Sequence, residues 1–138
     1  MRSEKEMFEL LISTARNDGR ILAAYLEGSR TVPQVPRDIF QDYDLVYVVT
    51  ETRPFIEEKE WINRFGRRLY MQYPDEGIWD NGNHENCYGW LMQFADGNRL
   101  DLHVCTLAFV KEQLKKGEPY RILLDKTGCL PQPGENLE

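Results

Sequence analysis

Asp42-Tyr43-Asp44-Leu45-Val46-Tyr47-Val48-Val49 is the stretch on which the reading of this chain turns. Its last five residues form an apolar run with the β-branched and aromatic content of a buried strand. Side chains two apart on a strand point to the same face, so Asp42 and Asp44 project together at the mouth of that run. Two carboxylates held side by side repel one another unless a hard divalent cation sits between them and the phosphates of a substrate. Magnesium, which prefers oxygen ligands, is the natural candidate.

Upstream, Ile21-Leu22-Ala23-Ala24-Tyr25-Leu26 reads as a second buried strand, and Gly28-Ser29-Arg30 follows where the chain must turn. Glycine lets backbone N–H groups approach a phosphate closely, serine adds a hydroxyl donor, and arginine offers charge-assisted hydrogen bonds. The segment between Ser29 and Asp42 contains Pro33 and Pro36 and reads as a surface connection that brings both groups to one edge. Downstream, Asp96-Gly97-Asn98 joins the run Tyr88–Phe94 to Arg99–Val104, a hairpin signal because Asp-Gly supplies the backbone angles of a tight turn. In the second of these runs Arg99, Asp101 and His103 share one face while Leu100, Leu102 and Val104 share the other. An acid in the middle of a strand is unfavourable without a purpose, so Asp101 joins the candidate set.

The remaining elements alternate helix and strand. From Ser3 to about Ala15 the spacing is helical, with Ser3 and Glu6 forming a capping box and Met7, Leu10, Leu11 and Thr14 near one face. Pro54 opens an expected second helix that buries Phe55, Ile56, Trp61, Ile62 and Phe65 and ends before Gly66, followed by a strand over Leu69–Tyr73. Thr106 is placed to cap a helix over Leu107–Lys116 that Gly117 ends, and Tyr120–Leu124 reads as a last short strand. The expected architecture is α+β, a mixed sheet with helices packed against it.

Composition narrows the function. The 138 residues are 41% hydrophobic and 12% aromatic, enough for one real core. A formal net charge of −6, with no Lys/Arg-rich patch interleaved with aromatics, argues against a nucleic-acid partner. No run is long and apolar enough for a membrane span or a signal peptide, so the expected location is cytoplasmic. Cys87, Cys105 and Cys129 form no motif, and their odd number reads as separate reduced thiols. His84 and His103 have no second histidine or cysteine at metal-ligand spacing, which argues against zinc. His84 reads as a loop residue; His103 shares the face of Asp101 and either makes a structural hydrogen bond, the simpler reading, or assists the site.

Gly28-Ser29, the spacer, Asp42-x-Asp44 and the later acid on a strand together resemble the nucleotidyltransferase pattern of the DNA polymerase β superfamily. The likeness is closer still to the bacterial aminoglycoside 6-adenylyltransferases, which modify streptomycin. It runs from Met1-Arg2-Ser3-Glu4-Lys5 through Gly28-Ser29-Arg30 and Asp38-Ile39-Phe40-Gln41-Asp42-Tyr43-Asp44 to Trp61-Ile62, Met71-Gln72 and Leu100-Asp101-Leu102. One position departs from the superfamily pattern: Glu27 stands where a hydrophobic residue usually precedes the glycine.

The resemblance implies a polymerase β-like nucleotidyltransferase fold and transfer of AMP from ATP to an aminoglycoside hydroxyl, releasing pyrophosphate and giving antibiotic resistance. Asp42 and Asp44 would hold magnesium, and Gly28, Ser29 and Arg30 would bind the nucleotide's phosphates. Asp101 would complete the acidic set, either as a third metal ligand or as the base for the attacking hydroxyl. It also implies a layout in which residues 1–130 are the nucleotidyltransferase domain, and residues 131–138 are a linker or an appended tail. The helical C-terminal domain that helps such enzymes hold the aminoglycoside is missing, so this stretch alone is expected to bind nucleotide weakly and transfer AMP poorly. Two other readings keep the same residues: a stand-alone nucleotide-binding module that works with a partner protein, and a nucleotidyltransferase with another acceptor.

Overall fold

The structure, a computed structural model, describes residues 2–27, 42–72, 85–117 and 119–131, with the backbone alone at Asp42 and Gln72. Helix α1 (Glu4–Asn17) begins as its sequence dictates. The Ser3 hydroxyl accepts from the Glu6 N–H at 3.1 Å while the Glu6 carboxylate accepts from the Ser3 N–H at 2.9 Å, closing the capping box. Its inward stripe of Met7, Leu11, Thr14 and Ala15 is buried, and the Tyr47 hydroxyl donates to the Leu11 carbonyl at 2.7 Å.

Six strands form one sheet: β1 (Ile21–Glu27), β2 (Asp42–Val49), β3 (Arg68–Gln72), β4 (Cys87–Phe94), β5 (Arg99–Thr106) and β6 (Tyr120–Asp125). Their spatial order is β3-β4-β5-β2-β1-β6, with β2 and β5 paired in parallel and the other neighbours antiparallel. Alternation along the central strands divides the core in two. Ala24, Leu26, Tyr43, Leu45, Tyr47, Val49, Leu100, Leu102 and Val104 face α1 and the aromatic group around Trp61. Ala23, Tyr25, Val46, Val48 and Cys105 face the other way, toward Val110 and Leu114 of α3 (Leu107–Leu114).

The expected helix from Pro54 to Phe65 is two pieces. A short α2 (Arg53–Glu57) is followed by a 3-10 helix over Trp61–Phe65. The reason lies in the aromatic spacing. At about 100° per residue, Phe55 and Trp61 would stand about 120° apart around one continuous α-helix and more than a turn apart along it, too far for their rings to meet. The break across Glu58–Glu60 lets both bury, each 1% exposed, with their rings edge to face at 4.9 Å.

The cysteines also depart from expectation. Cys87 and Cys105, read as separate thiols, are cross-strand partners of β4 and β5 with Cα atoms 4.2 Å apart, and they pair as a disulfide. Only Cys129 is a free cysteine among the described residues. Residues 87 and 105 are far apart in sequence, so this proximity follows from hairpin register and not from any local motif.

The hairpin turn that joins β4 to β5 doubles as a clamp for the N-terminus. Gly97 takes φ 95°, and the Phe94 N–H donates to the Asn98 carbonyl at 2.9 Å. Asp96 accepts from the Arg2 guanidinium at 2.6 Å, from the Arg2 backbone N–H at 3.2 Å and from the Asn98 N–H at 3.0 Å. Arg2 also donates to the Phe65 carbonyl and lies over the Phe94 ring. Burial alone would raise the Asp96 carboxyl, but these donors outweigh it and hold it well below its ordinary value of 3.8. A depressed carboxyl contributes stability that is full above its unfolded value and is lost as pH falls toward the folded one. Asp96→Ala is expected to cost about 1–3 kcal/mol at pH 7. Chemical denaturation measured from pH 7 down to pH 2 should show the difference between wild type and variant shrinking below about pH 4.

Candidate active site

Strand register builds the site. In the parallel pair, Asp42 stands opposite Arg99, Asp44 opposite Asp101 and Val46 opposite His103. Partners in register share a face, so Asp44 and Asp101 project from neighbouring strands on the same side of the sheet. This is the side on which α3 covers Val48 and Cys105 farther along; at the acidic end both carboxylates remain partly exposed.

The same row extends onto β1. Glu27 pairs with Asp44, so three acids lie side by side across β1, β2 and β5. Sequence reading treated Glu27 only as a departure from the usual hydrophobic residue. The signal that it belongs to the row is its place as the last residue of a strand antiparallel to β2, which no local pattern discloses. Its charge is felt nearby: burial pushes the Tyr25 phenol well above its ordinary value, and Glu27 pushes it further.

Asp101 is the enclosed member of the set. Burial raises its carboxyl above the ordinary value. Its Oδ1 is fully buried and has no hydrogen-bond partner among the described residues, while 36% of the side chain is exposed. The carboxylate thus turns one oxygen inward and leaves the rest toward the face it shares with Asp44. Inward, the Nδ1 of His103 lies 3.6 Å from that buried oxygen. His103 is only 4% exposed, so this contact does not lie on a solvated face.

The expected site is thus described only in part. Gly28, Ser29, Arg30 and His84 lie outside the described residues, and for Asp42 only the position in the ladder is described. Among the described residues no three His, Cys, Asp or Glu side chains converge closely enough to hold an ion by themselves. Asp44 and Asp101 are hard oxygen donors on one face, and burial penalises the charged form of Asp101 in the absence of a cation. That donor set fits a magnesium-type ion and does not fit a soft metal.

A six-stranded mixed sheet with helices on both faces fits the nucleotidyltransferase fold. A family model described as streptomycin adenylyltransferase matches residues 1–137, and the chain belongs to that family. Aminoglycoside 6-adenylyltransferases of Bacillus subtilis (strain 168) and Campylobacter jejuni are 38% and 35% identical to it, over 91% and 96% of its length. The crystal structure of an aminoglycoside 6-adenyltransferase from Bacillus subtilis matches with a TM-score of 0.73 and 31% identity, covering 95% of this chain and 44% of that one. The chain spans about half the length of these curated relatives, 45% and 46%. No helix among the described residues is long and apolar enough to cross a membrane.

The burial of Asp101 generates a prediction. A carboxyl whose folded value is raised opposes folding once pH exceeds its unfolded value, so removing the charge relieves that opposition. In metal-free buffer at pH 7, Asp101→Asn is expected to melt at a higher temperature than wild type, with the gap closing as pH falls and Asp101 takes up its proton. A lower melting temperature for the variant at both ends of that range would show that the carboxylate supports the fold.

Proposed function

We infer that the protein of which this chain is part transfers AMP from ATP to a hydroxyl of an aminoglycoside such as streptomycin, with magnesium as cofactor. The observation that carries this reading is the register of Asp44 against Asp101 on one face, in a chain that belongs to the streptomycin adenylyltransferase family. The relatives of Bacillus subtilis and Campylobacter jejuni, aminoglycoside 6-adenylyltransferases, support the acceptor class. Magnesium, when bound, polarises the phosphoryl oxygens and steadies the departing pyrophosphate.

The chain's own residues divide the remaining work. Asp42 and Asp44, two apart on β2, are the proposed metal ligands, and Asp101 completes the set from β5. Gly28, Ser29 and Arg30 are the proposed phosphate-binding residues, through backbone N–H groups, a hydroxyl and a guanidinium. The alternative role for Asp101 is that of the base that takes the proton of the attacking hydroxyl. The row of Glu27, Asp44 and Asp101 gives this face a negative charge that favours the approach of a polycationic acceptor. A helical portion beyond this chain, proposed from the family layout, would complete the acceptor pocket, and residues 1–130 would be the nucleotidyltransferase domain. A cytoplasmic location, where ATP is available, is part of the same proposal.

The test is incubation of the full-length protein with ATP, magnesium and streptomycin, followed by mass spectrometry for an added AMP on the antibiotic. Asp44→Asn is expected to lower product formation roughly 100-fold or more while leaving the melting temperature near wild type. Nucleotide consumption without a modified streptomycin would point to another acceptor, and unchanged transfer by the variant would remove Asp44 from the site. The 138 residues alone are expected to transfer much more slowly, because loss of the acceptor's positioning forfeits most of the rate.

A further inference from the structure

We propose that His103 is a positioning residue for Asp101, and that Gly89 is the position that makes room for it. The inference rests on the nucleotidyl-transfer reading of Asp101 and adds two residues to which that reading gives no part.

The geometry comes from two neighbouring strands. His103 lies two residues beyond Asp101 on β5, on the same face, and is 4% exposed. Across the ladder its partner on β4 is Gly89. A Cβ built on Gly89 would stand 2.5 Å from the His103 Cδ2, 2.7 Å from its Nε2 and 3.0 Å from the Leu102 carbonyl oxygen. The imidazole therefore occupies the space that any other residue at position 89 would fill. A glycine inside a strand weakens it, so its presence opposite a buried ring marks a close approach that the fold accommodates at some cost.

What the seated ring does is read from its polar edge. Nδ1 faces the Oδ1 of Asp101 at 3.6 Å, and that oxygen is fully buried. Packing alone would be served by a leucine or phenylalanine. With imidazole there, the buried oxygen has a polar neighbour 3.6 Å away on its inner side, close enough to bias the carboxylate toward leaving its exposed part on the face it shares with Asp44. This is the arrangement of an outer partner that orients a ligand, and losing such a partner typically costs about 10–100-fold in activity or metal affinity.

The test uses the full-length protein and two readouts: kcat and KM for AMP transfer, and manganese(II) affinity from water-proton relaxation. Asparagine can place a side-chain nitrogen near the position of Nδ1, whereas glutamine places one nearer Nε2, so the pair separates the two edges of the ring. His103→Leu is expected to lower kcat and weaken manganese binding by roughly 10-fold or more, with the KM for ATP changed less than about twofold. His103→Asn should recover most of both, and His103→Gln should not. Gly89→Ala should reproduce the loss, and in the His103→Leu background it should add little, since its damage acts through the ring.

A merely structural His103 would lower the melting temperature without this split between asparagine and glutamine, and that result would overturn the proposal. So would wild-type kcat and manganese affinity in His103→Leu. If His103→Leu fails to fold, the asparagine and glutamine variants decide alone. If wild type binds manganese and the variants behave as expected but no streptomycin is modified, the acceptor reading falls and the positioning role stands. If wild type neither binds manganese nor transfers AMP, both fall together.

Discussion

Everything at the acidic end of the sheet depends on one constraint, the parallel register of β2 against β5. Both strands are covered by protein on each face along most of their length, and a slip of one residue would send Leu45 and Leu102 to the α3 side and the acids into the larger core. The cost of burying those carboxylates without partners disfavours any odd-numbered slip of either strand. Hydrophobic packing on the α1 side therefore fixes the face on which the acids stand. Site and core are two readings of one alternation.

Local signals were legible in proportion to how local their physics is. The capping box of Ser3 and Glu6, the Asp-Gly turn at residues 96–97 and the alternation of β5 each depend on side chains a few residues apart, and each stands as read. Asp42, Asp44 and Asp101 were recognisable as candidates because acids at strand positions are unfavourable, and the family pattern joined them. The row that Asp44 shares with Asp101 follows from a pairing between strands far apart in sequence, which β2 and β5 supply only once folded.

What escaped the sequence is nonlocal in the same sense. Glu27 meets Asp44, Gly89 meets His103 and Cys87 meets Cys105 through strand pairing alone. The broken helix after Pro54 escaped for a different reason. Its apolar residues are all present, but a continuous helical period fails to put Phe55 and Trp61 on one side, and tertiary burial of two large rings overrode local helical continuity. The shared face of His103 and Asp101 is legible from strand alternation, whereas the burial of the ring is not.

The clamp between Arg2 and Asp96 also has a temporal consequence. The two residues are 94 positions apart, and Asn98 and Phe65 complete the same contact. As the chain emerges from the ribosome, α1 gains its capping box at once but cannot be fastened by this route until the β4–β5 turn has been synthesised. The fastening of α1 by this clamp thus depends on residues made nearly a hundred positions after it, and belongs to the later, long-range steps of folding.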